Sequence, residues 1–136
     1  MGTDAPDNKF VTQGKFQVHI DCSIGLITIV PERDLSVDEI NEFREGFLYE
    51  SGSKLILWDL RDGDLSRVTG DDALLFANID QTRIRQGSRL AFVVPKPLDY
   101  GIARMISTRM ELAGSTATIG QFFDLEVARE WLKETD

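Results

Sequence analysis

Apolar and polar residues alternate along residues 15–21, where Phe16, Val18 and Ile20 share one side and polar residues lie between them. A period of two is typical of a strand with one buried face. Residues 24–30 follow as a nearly unbroken apolar run, which favours a central strand that ends at Pro31. The short connection between the two runs predicts an antiparallel hairpin.

The next apolar residues recur at helical spacing. Ser36 and Glu39 form a capping box, in which each side chain can satisfy a free backbone donor. The stripe that follows consists of Val37, Ile40, Phe43, Phe47 and Leu48. Gly52 is a typical helix end, and residues 54–59 then form an apolar strand of the kind that is buried on both faces.

The remainder of the chain continues this alternation of helix and strand. It predicts a second helix over residues 69–85, a buried strand over 90–94, a third helix capped by Asp99, an edge strand over 116–122, and a last helix capped by Asp124.

The element order is therefore β-β-α-β-α-β-α-β-α. It predicts an α/β fold with a mixed sheet of about five strands, mostly parallel, whose N-terminal hairpin is antiparallel and which about four helices cover. Residues 1–14 contain few apolar groups and are expected to form a flexible N-terminal tail. Residues 15–134 are expected to form a single domain, the number that a length of 136 residues favours.

Composition and charge narrow the classes of function. The 15 basic and 23 acidic residues give a net charge of −8, which argues against nucleic acid and anionic membranes as partners. No apolar run approaches the roughly 18 residues of a membrane span, and the N-terminal residues lack the pattern of a signal peptide. Together with the single cysteine, Cys22, these features predict a reducing, cytoplasmic location.

The charge is uneven along the chain. Residues 61–109 carry 8 basic and 6 acidic side chains, whereas the segments before and after them are acidic. Seven of these eight cations are arginines, whose planar forks suit carboxylates and phosphates. We interpret the arginine-rich centre mainly as a solvated surface that pairs with the acidic ends.

The inventory of reactive side chains favours a protein without catalytic residues, metal or cofactor. The only histidine, His19, lies on the polar side of the first predicted strand, and Cys22 is expected to be a buried or half-buried thiol on the opposite face. No glycine-rich phosphate loop and no zinc-ligand spacing occurs. Asp59, Asp62 and Asp64 could bind a hard cation, but a solvated turn is the better interpretation.

Three segments of the last third carry a resemblance to a known family: Arg-Leu-Ala-Phe-Val-Val at 89–94, Tyr-Gly-Ile-Ala-Arg-Met at 100–105, and an aromatic at 122 or 123 before the Ala-x-x-Trp-Leu of residues 128–132. They resemble the SpoIIAA-like, STAS-like family of small bacterial proteins, and the element order over 15–134 is similar to the STAS domain. The fold of that family is also compared with the lipid-carrying CRAL-TRIO domain. The resemblance implies a module that binds a protein or a small ligand.

The anti-sigma factor antagonists of the STAS group carry a phosphorylated serine in Asp-Ser-Ser-Gly at the start of the second helix. The corresponding stretch here, residues 67–73, lacks the Asp-Ser pair, and Ser66 and Thr69 are the nearby hydroxyls. We interpret Thr69 as a helix N-cap. A phosphate there would meet Asp71 and Asp72 at the positive end of the helix, so the usual switch is not expected.

The sequence thus favours a non-catalytic regulatory module of the STAS type that binds another protein, which could be a regulatory kinase or a second copy in a homodimer. Its candidate switch and partner surface consists of Ser66, Thr69, Asp59, Asp62, Tyr100 and Arg104. The alternative is a carrier or sensor of a small apolar ligand. The apolar pocket of such a carrier would be lined by Phe43, Phe47, Leu75, Phe76, Ile102, Met105 and Ile106, residues that ordinary core packing also explains. A small enzyme ranks third.

Overall fold

A six-stranded mixed sheet, whose strands follow one another in chain order, forms the centre of the protein. The computed structural model describes residues 8–32, 37–48, 54–62, 87–112 and 117–134. The strands are β1 (Asn8–Gln13), β2 (Phe16–Asp21), β3 (Leu26–Pro31), β4 (Leu55–Asp59), β5 (Arg89–Val93) and β6 (Thr118–Phe122). The helices are α1 (Val37–Phe43), which continues as a π-helical turn over Arg44–Leu48, α2 (Pro97–Leu112) and α3 (Leu125–Lys133).

The pairing of the strands confirms the α/β class. β2 pairs antiparallel with both of its neighbours, β1 and β3, whereas β3 to β6 are parallel. The predicted antiparallel hairpin is β2–β3, and the predicted edge strand at the C-terminal end is β6, the last in the order. Parallel neighbours need long crossover connections, which is why a helix can lie between successive strands of this half of the sheet.

The prediction of five strands is wrong, because β1 adds a sixth. This strand occupies residues assigned to a flexible tail, so that assignment does not hold for Asn8–Gln13. The sequence pattern hides β1 because its side chains are mostly polar or exposed, and only Val11 packs against the core. Gly14, with a φ of +59°, makes the tight turn into β2 that holds the strand in place.

The helices differ from the predictions in two places. Three helices occur in the described residues, and the predicted second helix over 69–85 lies outside them. α2 begins at Pro97, so Asp99 is buried in the first turn and does not occupy the predicted N-cap position. Proline suits the first helical position because its fixed φ is already helical and its missing N–H would have no partner there. No helix within the described ranges is both long and apolar enough to cross a membrane.

Within the described residues, helices pack on both faces of the sheet. α1 and α2 pack on the first face, where the larger core contains the buried residues Phe16, Val18, Ile27, Ile29, Phe43, Ile56, Trp58, Leu90, Ile106, Met110 and Ala117. α3 packs on the second face, where the smaller core contains Leu26, Leu57, Ala91, Val93, Ala128 and Leu132. Along β3, β4 and β5, side chains point alternately into the larger and the smaller core. These strands are therefore buried on both sides, as their apolar runs predicted.

Side chains of β5 and β6 set the position of α3. Arg89 lies over the ring of Trp131 at 4.3 Å and donates a 2.8 Å hydrogen bond to the Trp131 carbonyl. The predicted cap is confirmed, since the Asp124 side chain accepts a 3.0 Å hydrogen bond from the backbone N–H of Val127. The Arg89 contacts therefore hold the last turn of α3, and the Asp124 cap fixes its start, two residues after the end of β6.

Candidate functional site

The carboxyl ends of β4, β5 and β6 lie side by side at one edge of the sheet. The backbone N–H of Leu60 donates to the Val93 carbonyl at 2.8 Å, and that of Val94 donates to the Phe122 carbonyl at 2.9 Å, so the ladder continues just past the strands. In parallel sheets ligands and partners usually bind beyond this edge. We name the carboxyl-edge surface by its residues Asp59, Arg61, Asp62, Tyr100, Phe123 and Asp124.

An ion pair closes the end of β4. Arg61 donates from Nε to Asp59 Oδ1 and from Nη2 to Asp59 Oδ2, both at 2.8 Å. Its backbone N–H also donates to Oδ1, at 3.2 Å. The Asp59 side chain is 10% exposed and that of Arg61 is 47% exposed, so the guanidinium separates the carboxylate from solvent. Both carboxylate oxygens are committed to Arg61, which argues against Asp59 as a cation ligand.

The same contact sets the protonation state of the pair. Burial would raise the pKa of Asp59, but the hydrogen bonds and charge of Arg61 outweigh burial and hold the pKa below its ordinary value. The hydrogen bonds to Asp59 raise the pKa of Arg61, and the fields of Asp62 and Asp124 act in the same direction. Arg61 therefore lies within electrostatic range of two further carboxylates of the carboxyl-edge surface.

Asp59→Asn tests the ion pair through the pH dependence of stability. Because the folded state lowers the pKa of Asp59, its stabilising contribution is present above the unfolded pKa and is lost as pH falls through the folded pKa. We expect the variant to lose about 1 kcal/mol at pH 7, a small value because Arg61 is half exposed. Urea titrations between about pH 7 and pH 2 should show a smaller acid-induced loss of stability than in the parent chain.

The matched control for that experiment is Asp62→Asn, which removes an exposed carboxylate three positions away along the same turn. We expect the Asp62→Asn variant to show the same loss of stability at acidic pH as the parent chain. An equal acid-induced loss of stability in the parent chain and the Asp59→Asn variant would contradict the stabilising role of the ion pair.

An aromatic pair stands beside the ion pair. Tyr100, in the first part of α2, stacks on Phe123 with ring centroids 5.0 Å apart and 21° between the planes. Phe123 follows β6 and is 52% exposed. Phe123 directly precedes Asp124, one of the carboxylates whose charge raises the pKa of Arg61. The aromatic pair and the ion pair therefore belong to one surface. An exposed stacked pair offers apolar area that needs little further ordering on binding.

The structure brings together only part of the predicted switch and partner surface. Asp59, Asp62 and Tyr100 lie at the carboxyl edge, and Arg104 is exposed one turn further along α2. Ser66 and Thr69 lie outside the described residues, as does Asp64. The hydroxyls of the predicted switch therefore lie outside the described part of the chain, and their predicted role stays a prediction.

The predicted pocket residues that the structure describes share the first face of the sheet. Phe43 and Ile106 are buried, while Phe47, Ile102 and Met105 pack partly buried against the same core. Leu75 and Phe76 fall in a range that the structure does not describe. Phe43 stacks on Phe16 at 4.1 Å and on Phe47 at 5.4 Å, with Trp58 edge-on at 5.9 Å. These centroid distances are those of direct ring contact, so the described members pack as core.

The two reactive side chains singled out in the sequence lie apart from the carboxyl edge. His19 Nε2 is 3.0 Å from Asn8 Oδ1, and its ring stacks on Phe10 with 4.5 Å between centroids. Cys22 is exposed, so the expectation of a buried or half-buried thiol is wrong. The strand ends before it and a turn over residues 22–25 begins, so alternation along the strand no longer sets its direction. Among the residues that the structure describes, no group of three potential metal ligands occurs.

The predicted switch and partner surface lacks three members of the carboxyl-edge surface, namely Arg61, Phe123 and Asp124. Arg61 is one of the central arginines of the sequence, and its position two residues after Asp59 allows a turn in which the carboxylate accepts the backbone N–H. Asp124 is identified in the sequence as the cap of the last helix. Phe123 is one of the two aromatic residues that precede that helix. Its exposure follows from the end of β6 at Phe122, which turns the next side chain out of the sheet.

Comparisons with protein-family models, with curated proteins and with solved structures give no match for this chain.

Proposed function

We propose that this chain is a non-catalytic, STAS-like regulatory module that binds a partner protein through its carboxyl-edge surface. The observation that carries the proposal is the stacked pair of Tyr100 and Phe123, which exposes an aromatic face at the edge where α/β sheets usually bind. Aromatic side chains are enriched among the residues that dominate binding energy in protein interfaces.

The charges around the pair define the kind of partner. Asp62 and Asp124 are exposed, and the whole chain carries a net charge of −8. Asp59 is already neutralised by Arg61, so the uncompensated charge of the surface is negative. We therefore propose a partner that places an apolar side chain against the aromatic pair and basic side chains against Asp62 and Asp124. Such complementarity accelerates association and fixes orientation.

A binding role suits the chemistry of this surface better than catalysis. Asp59 is held in its ionised form with both oxygens bonded, so it is poorly placed to act as a general acid or base. The similarity of the element order to STAS domains supports a protein partner. A regulatory kinase remains one candidate for that partner, although the hydroxyls that it would modify are not needed for the contact proposed here.

The alternative role, transport or sensing of a small apolar ligand, requires a different structural feature. A carrier needs space among its apolar side chains, whereas the described aromatic residues of the first face touch one another. Mass spectrometry of organic extracts of the purified protein separates the two roles. A stoichiometric lipid or acyl compound would favour the carrier over the module proposed here.

The double variant Tyr100→Ala/Phe123→Ala tests the proposal. A native pull-down with the parent chain, followed by mass spectrometry and purification of each captured protein, supplies the partner for a direct binding titration. We expect the double variant to bind that partner at least about tenfold more weakly, because truncation of central aromatic residues typically removes 1–2 kcal/mol or more. Raising the ionic strength should slow association with the parent chain.

The control is Leu112→Ala, which removes another strongly exposed apolar side chain, at the far end of α2. It should bind the partner as the parent does. Equal affinity of the parent and the double variant for every captured protein would place the interface elsewhere and would contradict the proposal.

A further inference from the structure

β1 lies at the antiparallel end of the sheet, and among the described strands only β2 pairs with it. Every second residue of an edge strand directs its backbone N–H and C=O away from the sheet, where another strand can pair with them. β1 has no proline, one of the devices that natural edges use to prevent such pairing, and its single charged residue, Lys9, is exposed on the face that also carries Val11.

The turn between β1 and β2 determines which backbone groups face outward. Gln13 pairs with Phe16 around the loop residues Gly14 and Lys15, and the positive φ of Gly14 at the first loop position is that of a type II′ turn. In such a hairpin the residues flanking the loop bond to each other. Along β1, residues that form hydrogen bonds with β2 therefore alternate with residues whose backbone N–H and C=O point away from β2. The residues with outward backbone groups are Asn8, Phe10 and Thr12.

These three residues also share one face of the sheet, the second face, on which α3 covers the other end. Phe10 is 79% exposed and stacks on His19 of β2, with 5° between the ring planes. The exposed ring is thus held at the outer edge of the sheet. Lys9 is the one charged residue of β1, and it lies on the opposite face.

We propose that two copies of this chain pair antiparallel through β1, with the two-fold axis at Phe10. The register places Phe10 opposite Phe10 of the second copy and Asn8 opposite its Thr12. All of these residues have outward backbone groups, so each opposed pair exchanges both of its hydrogen bonds. The two stacked pairs then form a continuous row across the axis, from His19 through both Phe10 rings to the other His19.

Charge and symmetry favour a second copy over an unrelated strand as the occupant. In this register Lys9 faces the uncharged Val11 of the other copy, so no like charges stand directly opposite each other. The outward residues are spaced symmetrically about Phe10, which a two-fold interface requires, since the same patch must serve both copies. Pairing also covers the exposed edge of β1 in each copy.

Phe10→Pro tests the edge without disturbing the hairpin. Proline removes an N–H that faces away from β2, and a strand edge tolerates it at such a position. Sedimentation velocity at about 100 μM should show a dimer for the parent chain and a monomer for the variant, a loss of affinity of at least about tenfold. Leu112→Ala, the control for an exposed apolar side chain, should stay dimeric. A monomeric parent, or a dimeric Phe10→Pro variant, would overturn the proposal.

A disulfide at the axis tests the register and does not depend on the proline variant. Opposed residues of a hydrogen-bonded antiparallel pair have Cα atoms about 5.5 Å apart, within the range of a disulfide. In a Cys22→Ser background, Phe10→Cys should form a covalent dimer under mild oxidation, whereas Leu112→Cys should not. Equal cross-linking at the two positions, or none at position 10, would contradict the register. The Tyr100→Ala/Phe123→Ala variant should still dimerise, so this result is independent of the carboxyl-edge surface.

Discussion

Phe43→Ala is expected to lower the free energy of unfolding by about 3–5 kcal/mol, the usual cost of truncating a buried aromatic residue. Phe43 is 5% exposed and contacts three other aromatic residues, with Phe16 and Phe47 stacked against it and Trp58 edge-on. Because α1 brings Phe43 onto strands β2 and β4, the change also weakens the contact between this helix and the sheet. Urea unfolding followed by tryptophan fluorescence measures the effect, and Trp58 lies directly beside the altered site.

Two further variants provide reference values for the change in the free energy of unfolding. Phe43→Leu keeps most of the apolar volume and should cost less than half as much as the alanine change, since core swaps of similar volume usually cost under about 1.5 kcal/mol. Leu112→Ala removes a side chain that is exposed to solvent and should change stability by less than about 0.5 kcal/mol. A Phe43→Ala effect no larger than that of Leu112→Ala would show that the ring is not part of a packed core.

Leu132→Ala is expected to cost about 2–5 kcal/mol and to loosen α3 from the sheet. Leu132 is 1% exposed and belongs to the smaller core on the second face, where it packs with Leu26 and Leu57. α3 is short, so it depends on packing more than on its intrinsic helix propensity. Chemical denaturation gives the change in free energy, and amide hydrogen exchange should show the largest loss of protection within α3.

Val127→Ala is the matched control, because it shortens a half-exposed apolar side chain of the same helix. It should leave both stability and exchange in α3 nearly unchanged. If Leu132→Ala raised exchange equally across α2 and α3, the loss of stability would be global, and α3 would not act as a separate unit.

The two variants probe opposite faces of one sheet, and the carboxyl-edge surface depends on both. Tyr100 comes from α2 on the first face, whereas Phe123 and Asp124 lead into α3 on the second face. The stacked pair therefore joins the two helical layers at the end of the sheet. A change that loosens α3 should weaken partner binding even when no residue of the surface is altered, whereas pairing through β1 should be unaffected.

Local patterns predicted the central strands and the ends of several elements. The apolar run of β4 and the capping carboxylate of α3 each depend on neighbouring residues alone, so they were visible in the sequence. The buried position of Asp99 was not, because the start of α2 moved to Pro97 and placed that residue in the first turn. Its burial depends on what packs over that turn, which no local pattern records.

The sequence by itself determined the class of the fold, the antiparallel hairpin with its parallel continuation, and the buried face of β2 that carries Phe16 and Val18. Each of these follows from periodicity, because the face that a side chain occupies is a local property of a strand or helix. Only the tertiary structure decided that β1 joins the sheet, that Arg61 closes over Asp59, and that Tyr100 meets Phe123 at its edge. The first depends on pairing with another strand, the second on the backbone path of a turn, and the third on a contact between elements distant in sequence.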